Sequence, residues 1–123
     1  ALSYSKARIM FGKPIGQTQL QQSRLADMLT EITKAQLLTL QLGRLKDKGT
    51  MTPDQVSLAK RNNINMACEA AREARRLLGA NGILAEYHAM RHMANLESVY
   101  TYEGTHDMHS LILGETITGL GAF

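Results

Sequence analysis

The chain has 123 residues, 44% of them hydrophobic and 5% aromatic, no tryptophan, and a net charge of +3. That length supports one hydrophobic core rather than two, and a core so poor in aromatic residues must be built from Leu, Ile, Met and Ala, which favour helices. Basic residues are interspersed with acidic ones, so a pI near 9.2 does not point to nucleic acid. Cys68, the one cysteine, excludes an internal disulfide or a cysteine-based zinc cluster and suits a reducing compartment, and no apolar run approaches the roughly 20 residues of a membrane span.

In chain order, Ala1 to Arg8 reads as the last turns of a helix without a start signal, which suggests that it continues a longer chain. Phe11-Gly12-Lys13-Pro14-Ile15-Gly16 then forbids continued helix and marks a turn. From Gln17 to Lys48 apolar positions recur at Leu25, Met28, Leu29, Ile32, Ala35 and Leu42, while Leu37, Leu38, Leu40 and Leu45 cover the other side. Such a helix is expected to be buried on more than one face, one face filling the core and another an interface. Gly49 ends it with a left-handed cap.

Thr52-Pro53-Asp54-Gln55 places a capping hydroxyl, a proline at the first helical position, an acid on the dipole and a capping-box Gln in order. The helix that follows carries a stripe from Val56 through Ala59, Asn63, Met66, Ala67, Ala70, Ala71 and Ala74 to Leu77 and Leu78, its small residues suited to close helix packing. After Gly79-Ala80-Asn81-Gly82 a shorter helix is expected over roughly Ala85 to Leu96, with Tyr87, Met90, Met93 and Ala94 inward. Tyr102-Glu103-Gly104 breaks it, and Thr105 caps a last helix. The sum is an all-α, antiparallel four-helix bundle without a sheet.

Several groups could carry chemistry. His88 and His92, spaced i, i+4, could face a metal from one side of a helix, but the zinc-protease motif needs Glu where Ala89 stands. Glu103 to His106 has the Glu-x-x-His spacing of di-iron bundles, without the second such element those sites require. No metal site is therefore assigned. Arg72, Arg75 and Arg76 suit a helix C-terminus and a solvated face. The turn from Gly79 to Gly82 has backbone N–H groups able to meet a phosphate, yet matches no P-loop or dinucleotide fingerprint. Glu103, on a glycine turn before a capped helix, reads either as an acid complementing the helix dipole or as a carboxylate set for proton abstraction.

Three segments carry a family resemblance. Arg8-Ile9-Met10-Phe11-Gly12-Lys13-Pro14-Ile15 with Gln19 resembles the R-x-x-F-G-x-P-[IL]…Q segment of acyl-CoA dehydrogenases. Leu78-Gly79-Ala80-Asn81-Gly82 is similar to the family's L-G-G-x-G turn, with Ala80 for the commoner Gly, and Tyr102-Glu103-Gly104-Thr105 resembles its Y-E-G-T signature. Leu25 through Thr33, Leu42 through Asp47 and Thr101 through Asp107 look most like the glutaryl-CoA dehydrogenase branch.

The resemblance implies that residues 1–123 are the carboxy-terminal helical domain of a longer flavoenzyme, a tetramer in which FAD lies across a subunit boundary. It implies Glu103 as catalytic base, with Tyr102 and Gly104 along the acyl-CoA substrate. Arg8, Phe11, Gln19 and the turn of Leu78, Gly79, Ala80 and Gly82 would meet a neighbour's FAD, Thr105 and Asp107 the FAD of their own subunit, and Phe123 a further part of the cofactor. Electron-transferring flavoprotein would be the redox partner, and the enzyme would be cytoplasmic in a bacterium or in the mitochondrial matrix of a eukaryote. A helical assembly module without chemistry and a metal-binding bundle remain the alternatives.

Overall fold

The structure, a computed structural model, describes residues 1–122. Helix α1 (Leu2–Ala7) leads into strands β1 (Ile9–Met10) and β2 (Lys13–Pro14), which pair antiparallel with Ile9 opposite Pro14 and Met10 opposite Lys13. The expectation of a fold without any sheet is corrected here. Phe11 at φ 53 and Gly12 at φ 77 are both left-handed, as the two central residues of a type I′ hairpin turn are, so this turn folds the chain back on itself in register. A 3₁₀ turn over Ile15–Gln17 buries Ile15 and leads to α2 (Gln19–Asp47).

Helix α3 (Pro53–Leu77) begins where its capping signal lies, with Gln55 Oε1 accepting from the Thr52 backbone N–H at 3.1 Å. It is the common partner of the fold: α2, α4 (Ala89–Thr101) and α5 (His106–Thr118) each pack against it. Small side chains permit the approach, since Ala59 is buried and Ala67, Ala70, Ala71 and Ala74 are half-buried along its contact faces. The polarity of Asn63, which the sequence leaves without a role, ties two helices together. Its Nδ2 donates to Thr39 Oγ1 at 2.8 Å, and that hydroxyl donates to the Ala35 carbonyl of α2 at 2.9 Å.

Within this chain α2 is covered on one face alone. Ala35 is buried and Leu25, Met28, Leu38, Leu42 and Leu45 are half-buried, whereas Leu20, Leu29, Leu37 and Leu40 face outward. Helix α4 also starts later than its periodicity suggests. Ala85–Tyr87 form a 3₁₀ turn, His88 sits at φ 58, and the inward face is Ala89, Met93, Leu96, Val99 and Tyr100. Tyr87, Met90 and Ala94 are exposed, because a stripe phased from Tyr87 starts on a residue outside the helix, while one phased from Ala89 follows i, i+4, i+7 and i+10. No helix among the described residues is long and apolar enough to cross a membrane.

The end of α3 is fixed by a close backbone approach. A Cβ built on Gly82 would stand 2.3 Å from the Arg75 carbonyl oxygen and 3.0 Å from Arg75 Cα. The obstacle is backbone in a helix and cannot rotate away. Gly82→Ala is therefore expected to destabilise the protein by about 1–3 kcal/mol, the usual range for overpacking, read as a lower urea midpoint. Cys68, half-buried on α3, has its thiol pKa raised by burial, then by the Glu97 and Glu69 carboxylates, against a lowering by Arg72. A raised pKa leaves less thiolate at any given pH, so iodoacetamide should alkylate Cys68 more slowly than a free thiol near pH 8, and equally fast once the protein is unfolded.

Candidate functional site

Two groups of candidate residues lie at opposite ends of α3. The first surrounds a cavity of about 320 Å³ lined by Tyr4, Arg8, Met10, Ile15, Gln21, Arg76 and the run Leu77 to Asn81. Helix α1 and the turn after α3 are held together there by two contacts. Asn81 Nδ2 donates to the Tyr4 hydroxyl at 3.0 Å, and the Tyr4 ring meets Tyr87 edge-on with centroids 5.8 Å apart. Ser5, fully buried, donates to the Leu2 carbonyl at 2.7 Å, and Gly16 lies so close that a Cβ there would come within 3.0 Å of the Ser5 carbonyl oxygen.

The structure thus joins Arg8 with Leu78, Gly79 and Ala80 around one cavity, as residues from two distant stretches of chain. Leu78 is 4% exposed, so its part is to anchor the turn in the core while Gly79, at φ 60, redirects the backbone. Gly82 is buried against Arg75 and holds the turn without lining the cavity. Phe11, 94% exposed at the hairpin tip, and Gln19, exposed at the first position of α2, lie outside it. Gln21, two residues on, lines it, and no motif in the sequence marks it out. Arg76 is paired with Glu73 on its own helix, as Arg72 is with Glu69, whereas Arg8 has no carboxylate partner among the described residues. A free guanidinium beside a glycine turn, with Asn81 and a tyrosine hydroxyl nearby, is a donor set suited to a phosphate or diphosphate.

The second group is the link between α4 and α5. Tyr102 leaves the helix in extended conformation, and Glu103 at φ 51 and Gly104 at φ 89 turn the chain. Thr105 Oγ1 then accepts from the Met108 N–H at 3.2 Å to cap α5, with Asp107 in its first turn. A left-handed Glu is unusual and costs on the order of 1–3 kcal/mol, so something must hold it. Lys60 of α3 does so: its Nζ donates to the Tyr102 carbonyl, to the Glu103 carbonyl at 3.1 Å and to the Gly104 carbonyl at 2.6 Å. The carboxylate of Glu103 itself is exposed.

Beneath the turn, buried His109 shares a 3.1 Å hydrogen bond through Nδ1 with buried Ser57. Its Nε2 faces Gly104 so closely that a Cβ there would lie 2.9 Å away. Arg61 Nε donates to Ser110 Oγ at 2.8 Å, so Ser57, Lys60 and Arg61 form an i, i+3, i+4 stripe on α3 that grips the turn and α5. That spacing was present in the sequence, but it points to a helix face and not to what the face touches.

The histidine and carboxylate pairs take other places. His88 precedes α4 in a left-handed conformation, so it and His92 do not share a helical face, and Glu103 lies on a turn with His106 stacked on Tyr100 at 4.6 Å. Among the described residues no three His, Cys, Asp or Glu side chains gather as a metal site. Phe123 lies outside the described residues.

Residues 1–118 match the model of the acyl-CoA dehydrogenase C-terminal domain, and the chain belongs to that family. It is similar to a crystal structure of glutaryl-CoA dehydrogenase from Mycobacterium smegmatis, 56% identical with a TM-score of 0.97, covering 99% of this chain and 32% of that one. A glutaryl-CoA dehydrogenase of the same organism in complex with FADH2 is 48% identical, with a TM-score of 0.97 and the same coverage. Among curated proteins, the short-chain specific acyl-CoA dehydrogenase of Megasphaera elsdenii is 32% identical over 114 residues, 93% of this chain and 30% of that protein. The chain therefore spans about a third of the length of these relatives.

Gly104 combines a positive φ with His109 directly below it, so both conformation and space oppose a side chain. Gly104→Ala is expected to cost about 1–3 kcal/mol and to shift the turn, measurable as a lower midpoint in urea with no change at distant residues such as Cys68.

Proposed function

We propose that this chain is the carboxy-terminal domain of an FAD-dependent acyl-CoA dehydrogenase that oxidises the α,β bond of an acyl-CoA thioester, glutaryl-CoA before other short acyl groups. The observation that carries this reading is Glu103, an exposed carboxylate on a left-handed turn whose three carbonyls are held from behind. A thioester α-proton is weakly acidic, and a carboxylate on a fixed backbone beside the substrate can take it as general base. When bound, FAD supplies the acceptor for the β-hydrogen, which protein side chains cannot. Tyr102 and Gly104 flank the base and would lie along the acyl-CoA, while the Thr105 hydroxyl keeps its proton free to donate even as its oxygen caps α5.

Leu77 lies seventeen residues beyond Lys60 on α3, about 25 Å at 1.5 Å per residue, so the Arg8 cavity stands well apart from Glu103. This separation favours a second cofactor, that of a neighbouring copy, for Arg8 and the Leu78–Gly82 turn, with Phe11 and Gln19 free to reach the same neighbour from the surface. The uncovered apolar side chains of α2, and Ile117 at 82% exposure on α5, favour assembly, in keeping with a tetramer built from longer chains. Identities of 56% and 48% to two glutaryl-CoA dehydrogenases favour glutaryl-CoA as substrate, although a third glutaryl-CoA dehydrogenase and a short-chain enzyme are both 32% identical. Its oxidation would give a glutaconyl thioester that loses CO₂ to form crotonyl-CoA, with electrons passing on to electron-transferring flavoprotein.

The test is Glu103→Gln in the intact enzyme. Gln keeps the shape of Glu and cannot take a proton at neutral pH, so the variant is expected to bind FAD normally and to reduce it at least about 10²–10⁴-fold more slowly with acyl-CoA. Stopped-flow absorbance of the flavin reads the rate. A wild-type rate would leave Glu103 with no catalytic part.

A further inference from the structure

We propose that Lys60 is a positioning residue for the reaction, fixing the aim of Glu103 by gathering three successive backbone carbonyls of its turn onto one ammonium. The proposal rests on Glu103 being the base. Positive φ at both Glu103 and Gly104 swings consecutive peptide planes to the same side, so that the carbonyls of Tyr102, Glu103 and Gly104 converge. Three unpaired carbonyls pointing together repel one another, and a cation among them turns that repulsion into attraction. An ammonium has three N–H donors, and all three are engaged here, so Lys60 has none left with which to bind a substrate carboxylate. The Tyr102 ring, 5.5 Å from Nζ, covers the same charge.

Among the described residues the Glu103 carboxylate has no hydrogen-bond or ion-pair partner, so its direction follows from its backbone. That backbone is held on two sides from a single stretch of α3. Lys60 draws the carbonyls inward, and one turn earlier Ser57 holds His109, whose ring stands against Gly104. Because α3 also carries the packing of α2, α4 and α5, the turn is referred to the most constrained element of the fold.

The experiment is made in the intact, FAD-loaded enzyme with Lys60→Met, which keeps the length and apolar stem and removes the donors, and with Lys60→Arg, which restores a cation with several N–H groups. Lys60→Met is expected to retain FAD and to reduce it about 10- to 100-fold more slowly at saturating acyl-CoA, the loss typical of a reacting group misplaced by about 1 Å, with KM changed less than about threefold. Lys60→Arg should recover part of the rate. Amide hydrogen exchange over residues 102–108 should accelerate in Lys60→Met, a readout independent of turnover. If Lys60→Met does not fold, Lys60→Gln is judged by the same criteria. Glu103→Gln in the same assay separates the two ideas: a wild-type rate there removes the base itself. A dead Glu103→Gln beside wild-type reduction and exchange in Lys60→Met would overturn the positioning role alone.

Discussion

The packing of three helices on α3 is the constraint from which the rest of the structure follows. A helix can serve three neighbours only if its contact faces are small enough for their backbones to come close, and α3 meets this with alanine at 59, 67, 70, 71 and 74. The same closeness reappears at its end, where Gly82 lies on the Arg75 carbonyl with no room for a methyl group. At its C-terminal end Leu77 and the capping residue Leu78, both buried, close the core.

With α3 so constrained, both candidate loci are referred to it. At its N-terminal part, Ser57, Lys60 and Arg61 reach across to the link between α4 and α5 and hold a Glu in a backbone conformation it would not adopt alone. At its C-terminal end the chain turns through Gly79, and the Asn81 to Tyr4 hydrogen bond brings Arg8 alongside. A rigid helix of this kind keeps two distant groups in fixed relation.

Much apolar surface stays uncovered in the single chain. The outward leucines of α2 and the end of α5 would cost solubility if left bare. Among the described residues the buried hydrophobic core is correspondingly lean, three alanines, two leucines and one isoleucine, so this domain's stability is expected to owe much to its surroundings.

Local rules were legible in the sequence. The capping box at Thr52, the glycine stops, the Thr105 cap and the helical periods specify short-range geometry, and α1, α2, α3 and α5 follow closely from the sequence, whereas α4 begins later than its period suggests. The three motifs that mark the family are likewise strings of neighbours, so Glu103 and the Gly79 turn stood out before any fold was known. The hairpin at Phe11 and the left-handed His88 were missed, because a positive φ at a residue other than glycine has a local cost that only surrounding contacts can offset. The meeting of Arg8 with Gly79, of Asn63 with Thr39, and of Lys60 with a turn more than forty residues away was decided by tertiary structure alone. Each depends on which faces of two helices come together, and periodicity gives the face of a helix without naming its partner.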